Sequence, residues 1–402
     1  MKKQITFILI FVLVFASCKN DIKVDLIKSG EFEFIKDNIY DDYRYFQYLD
    51  CDTGQFIIAL ETNKNKLVCY SFADSTKCFS TKIPIINKPN AFYYHNKDSI
   101  FITKLYATNL YLLNIKGELR ELTYWNNPFE LFEFFERKHD KVILEFMNTI
   151  IDPLVYRYGK LYISNITNFT PLFDISDLNA MNKLKNKPII KDTLVEDDFS
   201  HLKNQSPSLI ININDTVLKV NNLVGRWPDS YCIDKTYLPN GMWKSMTINN
   251  KELLVYSFAC DHNVFIYNEK QLIKKVNCQS RYIKEFKSEK YGKLKNGKIW
   301  DYRAVTEPYY AGIYYDKFNN IYYRVAVHRQ PYKKNDGYKN NYFTNEFSII
   351  IMDDKFKIYK EIKFSREKYI YATLFVTKQG ILLLKQNSKQ GYFNFDKYEI
   401  SH

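Results

Sequence analysis

One recurring pattern limits what this chain can fold into. It consists of a five- or six-residue apolar strand, a polar turn, a second aromatic-rich strand often closed by Asn or Asp, and then a third strand. The clearest copy runs through residues 253–258, 264–267 and 272–276, with the turn Asn268-Glu269-Lys270 before its last strand. Others run through 56–60, 67–72 and 79–83, and through 99–103, 110–115 and 119–124. Copies open near Phe56, Ser99, Lys141, Ser208, Glu252, Asn320 and Gly380, roughly 40 to 70 residues apart, a spacing that suits four-stranded propeller blades with some loops enlarged. Aromatic side chains fit a pleated, half-buried surface, and 34 Tyr and 30 Phe against 12 Gly agree with strands throughout. The expectation is therefore an all-β chain, a single β-propeller of about seven blades, or six. The last copy is incomplete and strands are left over near residues 32–35 and 43–49, so pairing the chain ends would close the ring and hide its edges. A pair of β-sandwiches could also give strands at this density. Two stretches break the pattern: residues 128–140 carry apolar residues at helical spacing, and residues 177–198 read as a long insertion.

The N-terminus has the three parts of a secretory signal: Lys2 and Lys3, an apolar run over 5–15 broken only by Thr6, and the small residues Ala16 and Ser17 before Cys18. That run is short of the roughly 20 residues needed to span about 30 Å of hydrocarbon, so it reads as a transient segment. The string Phe15-Ala16-Ser17-Cys18 resembles the lipobox of bacterial lipoproteins, and the resemblance implies cleavage before Cys18 and a lipid on its thiol. An ordinary signal peptide with a chance cysteine is the alternative. Lys19-Asn20-Asp21 resembles the short charged signals of Bacteroidetes-type lipoproteins displayed on the outer face of the outer membrane. The expected organisation is a signal peptide at 1–17, a lipid-anchor linker at 18–30 and a propeller domain at 31–402. The cell surface is favoured over the periplasmic face.

The formal charge of +13 raises nucleic acid as a partner, but the basic residues are mostly lysines dispersed among Asn, Asp and Glu, which describes a solvated surface. No nucleic-acid partner is expected, while an anionic glycan or lipid headgroup stays open because a net positive field concentrates anions. Six cysteines remain besides Cys18, and an exported compartment permits disulfides between them. Cys69 and Cys78 could face each other across one hairpin, and Cys260 and Cys278 could bridge neighbouring strands. Buried free thiols are the alternative. No C-x-x-C or His-rich spacing supports a zinc site, and no cofactor or metal is expected.

The run GIYYDKFNNIYYR at 312–324, followed by SIIIMDDKFKIY at 348–359 and FVTKQGILLL at 375–384, resembles the C-terminal half of a family of Bacteroidetes propeller lipoproteins catalogued as a domain of unknown function. The resemblance implies fold and compartment, and it supplies no catalytic residues. Read physically, Asp316 to Asn320 form a tight turn between two strands, where Asn tolerates left-handed backbone.

Signatures of common chemistry are missing: no G-x-S-x-G, P-loop, G-x-G-x-x-G or H-E-x-x-H occurs. The richest cluster joins Arg324, His328 and Arg329 with Tyr302, Arg303, Glu307 and Tyr310 upstream. Arg forks bind carboxylates or sulfates bidentately and Tyr faces stack on sugars, so this set suits an anionic glycan. In the alternative, Arg324 and the tyrosines alternate on a strand and pair at the surface. A second cluster joins Arg226 and Trp227 with Asp261 and His262 in the next unit, with a Trp in the blade core as the alternative. The leading expectation is a non-enzymatic binding or scaffolding propeller for a glycan, peptide or protein partner, anchored to a membrane by its lipid. The competing one is a propeller hydrolase or lyase acting on an exported polymer, with His262 or His328 as acid or base.

Overall fold

The apolar runs become strands in the computed structural model, which describes residues 24–35, 43–84, 89–104, 110–122, 140–146, 154–157, 159–171, 207–214, 217–231, 236–237, 243–290, 302–303, 305–340, 345–389 and 391–401. In chain order they are β1 (Asp25–Ile35), β2 (Tyr43–Cys51), β3 (Gly54–Glu61), β4 (Lys66–Ser71), β5 (Lys77–Lys82), β6 (Pro89–Asn96), β7 (Ser99–Lys104), β8 (Leu110–Leu113) and β9 (Leu119–Leu122). There follow β10 (Asp140–Phe146), β11 (Val155–Arg157), β12 (Lys160–Pro171), β13 (Ser208–Asn214), β14 (Val217–Val224), β15 (Thr236–Tyr237), β16 (Lys244–Ile248), β17 (Leu254–Phe258), β18 (Asn263–Tyr267), β19 (Leu272–Asn277) and β20 (Glu289–Lys290). The last are β21 (Tyr309–Asp316), β22 (Ile321–Val327), β23 (Phe347–Met352), β24 (Ile358–Phe364), β25 (Phe375–Thr377), β26 (Gly380–Leu384) and β27 (Tyr392–Ser401).

Five sheets are regular four-stranded blades: β2–β5, β6–β9, β16–β19, β21–β24, and a closing blade ordered β25, β26, β27, β1. Between the second and third of these lies an irregular five-stranded sheet of β10 to β14, and β15 pairs with β20 in a separate ribbon. The innermost strands touch in sequence around a closed circle, β25 to β2, β6, β11, β16, β21 and back to β25. The chain is thus an all-β propeller, and the expected count of about seven blades, or six, is corrected to five regular ones. The physical reason lies in the counted units: five of them begin on the second strand of a regular blade, whereas Lys141 and Ser208 both fall within the one irregular sheet.

Burial follows position in the blade. Every residue of β22 is buried, because a middle strand is covered by sheets on both sides, while β24 at the rim buries only Glu361 and Phe364. Adjacent blades share their cores. Val255, Val264 and Ile266 of one pack with Tyr310, Ile313 and Ile350 of the next. Ring closure uses both chain ends as expected, with β1 running antiparallel to β27 from Asp25 opposite Ser401 to Ile35 opposite Tyr392. The buried Asp396 carboxylate of β27 ties the seam: it takes Lys28 of β1 at 3.0 Å, Lys385 at 3.1 Å and the Tyr369 hydroxyl at 2.5 Å.

The expected turn after β21 is present. Asp316 Oδ1 accepts the amides of Phe318 and Asn319 at 2.9 and 3.0 Å, and Asn320 sits at φ +56°. Cys260 and Cys278 follow β17 and β19, which both pair with β18 and so are not neighbours. The expected signal region with Cys18, residues 128–139 of the expected helix over 128–140, the insertion at 177–198 and Cys232 lie outside the described residues, while Asp140 opens β10. Among the described residues no helix is long and apolar enough to cross a membrane.

Candidate functional site

Two neighbouring blades bring most of the expected residues to one end of the ring. Lys244 pairs with Phe258 and Tyr309 with Val327, so the connections that follow β17 and β22 emerge where β16 and β21 begin. Arg226 is exposed ahead of β16, and its amide donates to the hydroxyl of Tyr267, the last residue of β18, at 3.2 Å. Trp227 is buried against Phe258, with ring centroids 5.3 Å apart. Next to them Ser230 donates to Asp261 at 3.2 Å, and the Tyr231 hydroxyl accepts the Cys260 amide at 2.6 Å.

Arg324 reaches from β22 into the neighbouring blade and is fully buried. Its Nε donates to Ser257 at 2.9 Å, Nη1 to the carbonyls of His262 and Cys278 at 2.6 and 3.0 Å, and Nη2 to those of Asp261 and Asn263 at 2.6 and 3.4 Å. A guanidinium has five N–H donors, so every one is engaged within the chain. The Tyr310 ring lies 3.4 Å from its central carbon. Burial pulls the Arg324 pKa below the usual guanidinium range and pushes that of Tyr310 up. The Tyr310 hydroxyl accepts the Ser280 amide at 2.9 Å and meets His262 Nδ1 at 2.9 Å. A neutral His262 that donates through Nε2 to the Lys284 carbonyl would take the Tyr310 hydroxyl proton at Nδ1. Burial lowers the His262 pKa and favours this neutral form.

A second group surrounds His328, which follows β22. Its Nε2 meets Ser348 Oγ at 2.9 Å, and its Nδ1 faces Glu346 Oε1 at 3.3 Å. Glu361 Oε1 accepts both Ser348 and Ser280 hydroxyls at 2.5 Å, while Oε2 accepts the Arg281 amide at 2.8 Å. Burial depresses the His328 pKa even though Glu346 pulls it up. Over His328 lies Tyr282, centroid to centroid 4.6 Å, flanked by the Arg281 guanidinium at 4.8 Å and Lys363 Nζ at 5.4 Å. Arg303 and Arg329 both bind Glu307, at 2.5 and 3.0 Å.

The outer layer of this end is aromatic and basic. Tyr282, Tyr302 and Tyr338, the strongly exposed tyrosines among the described residues, all lie in the segments that enter β21 or follow β22. Tyr302 packs on Tyr332 at 5.2 Å. At the ring centre, a cavity of about 200 Å³ is lined mostly by apolar groups, including Phe46, Phe92, Met246 and Phe375. Ligand pockets generally hold about 300–1,000 Å³, so the exposed end offers more room for a polymer than the channel does. Among the described residues no group of three or more His, Cys, Asp or Glu could hold a metal ion.

A family model described as a domain of unknown function, DUF4221, matches residues 160–363, just over half of the chain. The chain belongs to DUF4221. All eight expected site residues fall inside the matched part of this DUF4221 chain. Its fold is similar to that of a solved family member from Bacteroides vulgatus ATCC 8482, with TM-score 0.72 and 17% identity over 95% of this chain and 100% of that one. More distant likenesses are a structure from Bacteroides fragilis NCTC 9343 (TM-score 0.47, 8% identity, 96% and 98% covered) and virginiamycin B lyase from Staphylococcus aureus (TM-score 0.41, 10% identity, 92% and 99% covered). Identities this low establish the fold alone. No curated protein matches the DUF4221 chain.

Sequence reasoning missed Arg281, Tyr282, Ser348, Glu361 and Lys363. Arg281-Tyr282 stands in the polar segment after β19, and an aromatic beside a cation in such a segment was the available signal. Glu361 and Lys363 are alternate residues of β24, and only the blade contact shows which of them is covered.

Proposed function

We propose that this DUF4221 protein is a lipid-anchored envelope propeller that binds an anionic glycan at the end of the β16–β19 and β21–β24 blades. One observation carries the reading: the exposed tyrosines Tyr282, Tyr302 and Tyr338 gather at that end among Arg281, Arg329 and Lys363. Tyrosine presents an apolar face to a sugar ring, and arginine pairs with carboxylate or sulfate through parallel N–H groups. The buried Arg324 and Tyr310 and the half-buried His262 act beneath this layer as its scaffold. The lipid on Cys18 and the surface location rest on the N-terminal sequence.

The test is calorimetric titration of the mature chain with a polyuronate, a sulfated polysaccharide and a neutral glucan. Binding of an anionic polymer that weakens about tenfold or more in a Tyr282→Ala/Arg329→Ala variant, and weakens again as salt screens the charges, is the expected result. Equal affinity for the neutral glucan, or an unaffected variant, overturns it. Protease digestion on intact cells, compared with Cys18→Ala, tests the location.

A second reading, a propeller hydrolase, draws on Ser348, His328 and Glu346, which stand in the order of nucleophile, base and orienting acid. Against it, Ser348 is buried and donates its hydroxyl proton to Glu361. Labelling of Ser348 by a fluorophosphonate, lost in His328→Ala, would favour the hydrolase.

A further inference from the structure

The β2–β5 blade holds three cysteines, Cys51, Cys69 and Cys78. Where β4 meets β5, Cys69 stands opposite Phe79 and Tyr70 opposite Lys77, so Cys78 is the extra residue of a β-bulge. A bulge sets two consecutive residues against one, which places Cys78 as well as Phe79 beside Cys69. Neighbouring antiparallel strands hold facing Cα atoms about 4.5–5.5 Å apart, inside the range of about 4.4–6.8 Å that a disulfide spans. The Cys78 thiol contacts the Thr76 carbonyl at 3.8 Å and stands close enough to Cys69 to help raise its pKa. Cys51 sits at the β2–β3 turn within electrostatic reach of Cys69, and its own thiol contacts Thr53 Oγ1 at 3.4 Å and the Gly54 carbonyl at 3.3 Å.

We propose that Cys69 and Cys78 form a disulfide once the folded chain meets an oxidising compartment; occurrence in the cell rests on the export reading above. Cys78 is exposed and Cys69 buried, which orders the chemistry. The Cys78 thiolate attacks the disulfide of an oxidant, either a protein disulfide or oxidised glutathione. A Cys78–oxidant bond forms and one oxidant thiolate leaves. Cys69 then loses its proton and attacks Cys78 Sγ, and the second oxidant thiolate departs. Two protein thiols are oxidised, one oxidant disulfide is reduced to two thiols, and all atoms are conserved. Burial pushes the Cys69 thiol far above its ordinary pKa, so this second step is the slow one. The product ties the rim strand β5 to β4 at the irregular point of their ladder.

The sequence supplies a direct readout. Trypsin cuts after Lys66, Lys77 and Lys82, so the two cysteines fall on peptides 67–77 and 78–82. The folded full chain, incubated with oxidised glutathione and alkylated without reductant, should yield these peptides as one linked species, lighter by two hydrogens than their sum. Reduction should separate them, Cys78→Ser should abolish the species, and Cys51→Ser should leave it intact. Alkylation of both thiols under these conditions, or a Cys51–Cys78 link in place of the expected one, overturns the pair. The same digest of protein taken from cells under acid quench separates the two readings. A link formed with glutathione and missing in cells upholds the pair and counts against export; a link found in both upholds both.

Discussion

Arg324 shows how much of the candidate end is built to hold two blades together. Replacing it with Met would remove a donor from Ser257 and from four backbone carbonyls, of which His262 keeps the Cys278 amide at 3.0 Å, and each buried acceptor left unpaired costs about 1–3 kcal/mol before water compensates. The expected outcome of Arg324→Met is a loss of about 3 kcal/mol or more, read as a lower urea midpoint. Arg324→Lys should recover only part of it, because one ammonium offers three donors where the fork offers five. His328 makes a separate prediction. Its folded-state pKa lies below the ordinary 6.5, so the unfolded chain binds the proton more readily. The stability it contributes is complete above about pH 6.5 and falls as pH drops from there through the folded-state value. His262 is shifted in the same direction for the same reason of burial. Denaturation midpoints measured from pH 8 to 5 should fall on the acid side, and His328→Gln should flatten part of that fall. An unchanged slope would show that His328 does not titrate differently on folding.

The closing blade depends on one tight approach at the level of strands. Gly380 begins β26 at φ +132°, and a Cβ there would stand 2.0 Å from the Tyr398 carbonyl oxygen of β27. Gly380→Ala should cost more than about 1 kcal/mol and lower the thermal midpoint, since both backbone geometry and space oppose the side chain. Gly30 of β1 is the control: nothing lies within 4 Å of its Cβ position, and Gly30→Ala should stay within about 0.5 kcal/mol. Strands were the legible part of this molecule. The runs at 253–258 and 264–267 and the turn at Asp316–Asn320 follow from apolar patterning and turn chemistry, which are local. The first strands of blades were harder to see: β11 has three residues and β16 five, too few for a pattern to stand out. The irregular sheet was read as two units because the segment between β12 and β13 separates strands that pair in space.

On the scale of the whole ring, the candidate site was half legible. The sequence singled out Arg226, His262, Arg303, Tyr310, Arg324, His328 and Arg329, which the fold sets in or beside two neighbouring blades. It could not tell which groups face solvent, because Arg324 and Arg329 read alike as residues and differ only in what covers them. Tyr282 depends on a packing relation between the segment after β19 and His328, which no spacing encodes. The direction of β1 has a consequence for how such a ring would sit in an envelope. Tyr371, just ahead of β25, packs on Tyr309 and Phe347, so β25 begins at the candidate end; β27 runs the same way and β1 returns antiparallel, so Asp25 beside Ser401 lies at the opposite end. With the proposed lipid on Cys18, five residues separate the anchor from Val24, a reach of at most about 20 Å. A fluorophore at position 338 should then escape quenchers placed in the bilayer, while one at position 401 should be quenched. The protein would hang from its outer edge, moored on the far side, with its aromatic and basic face turned outward, away from the lipid that holds it.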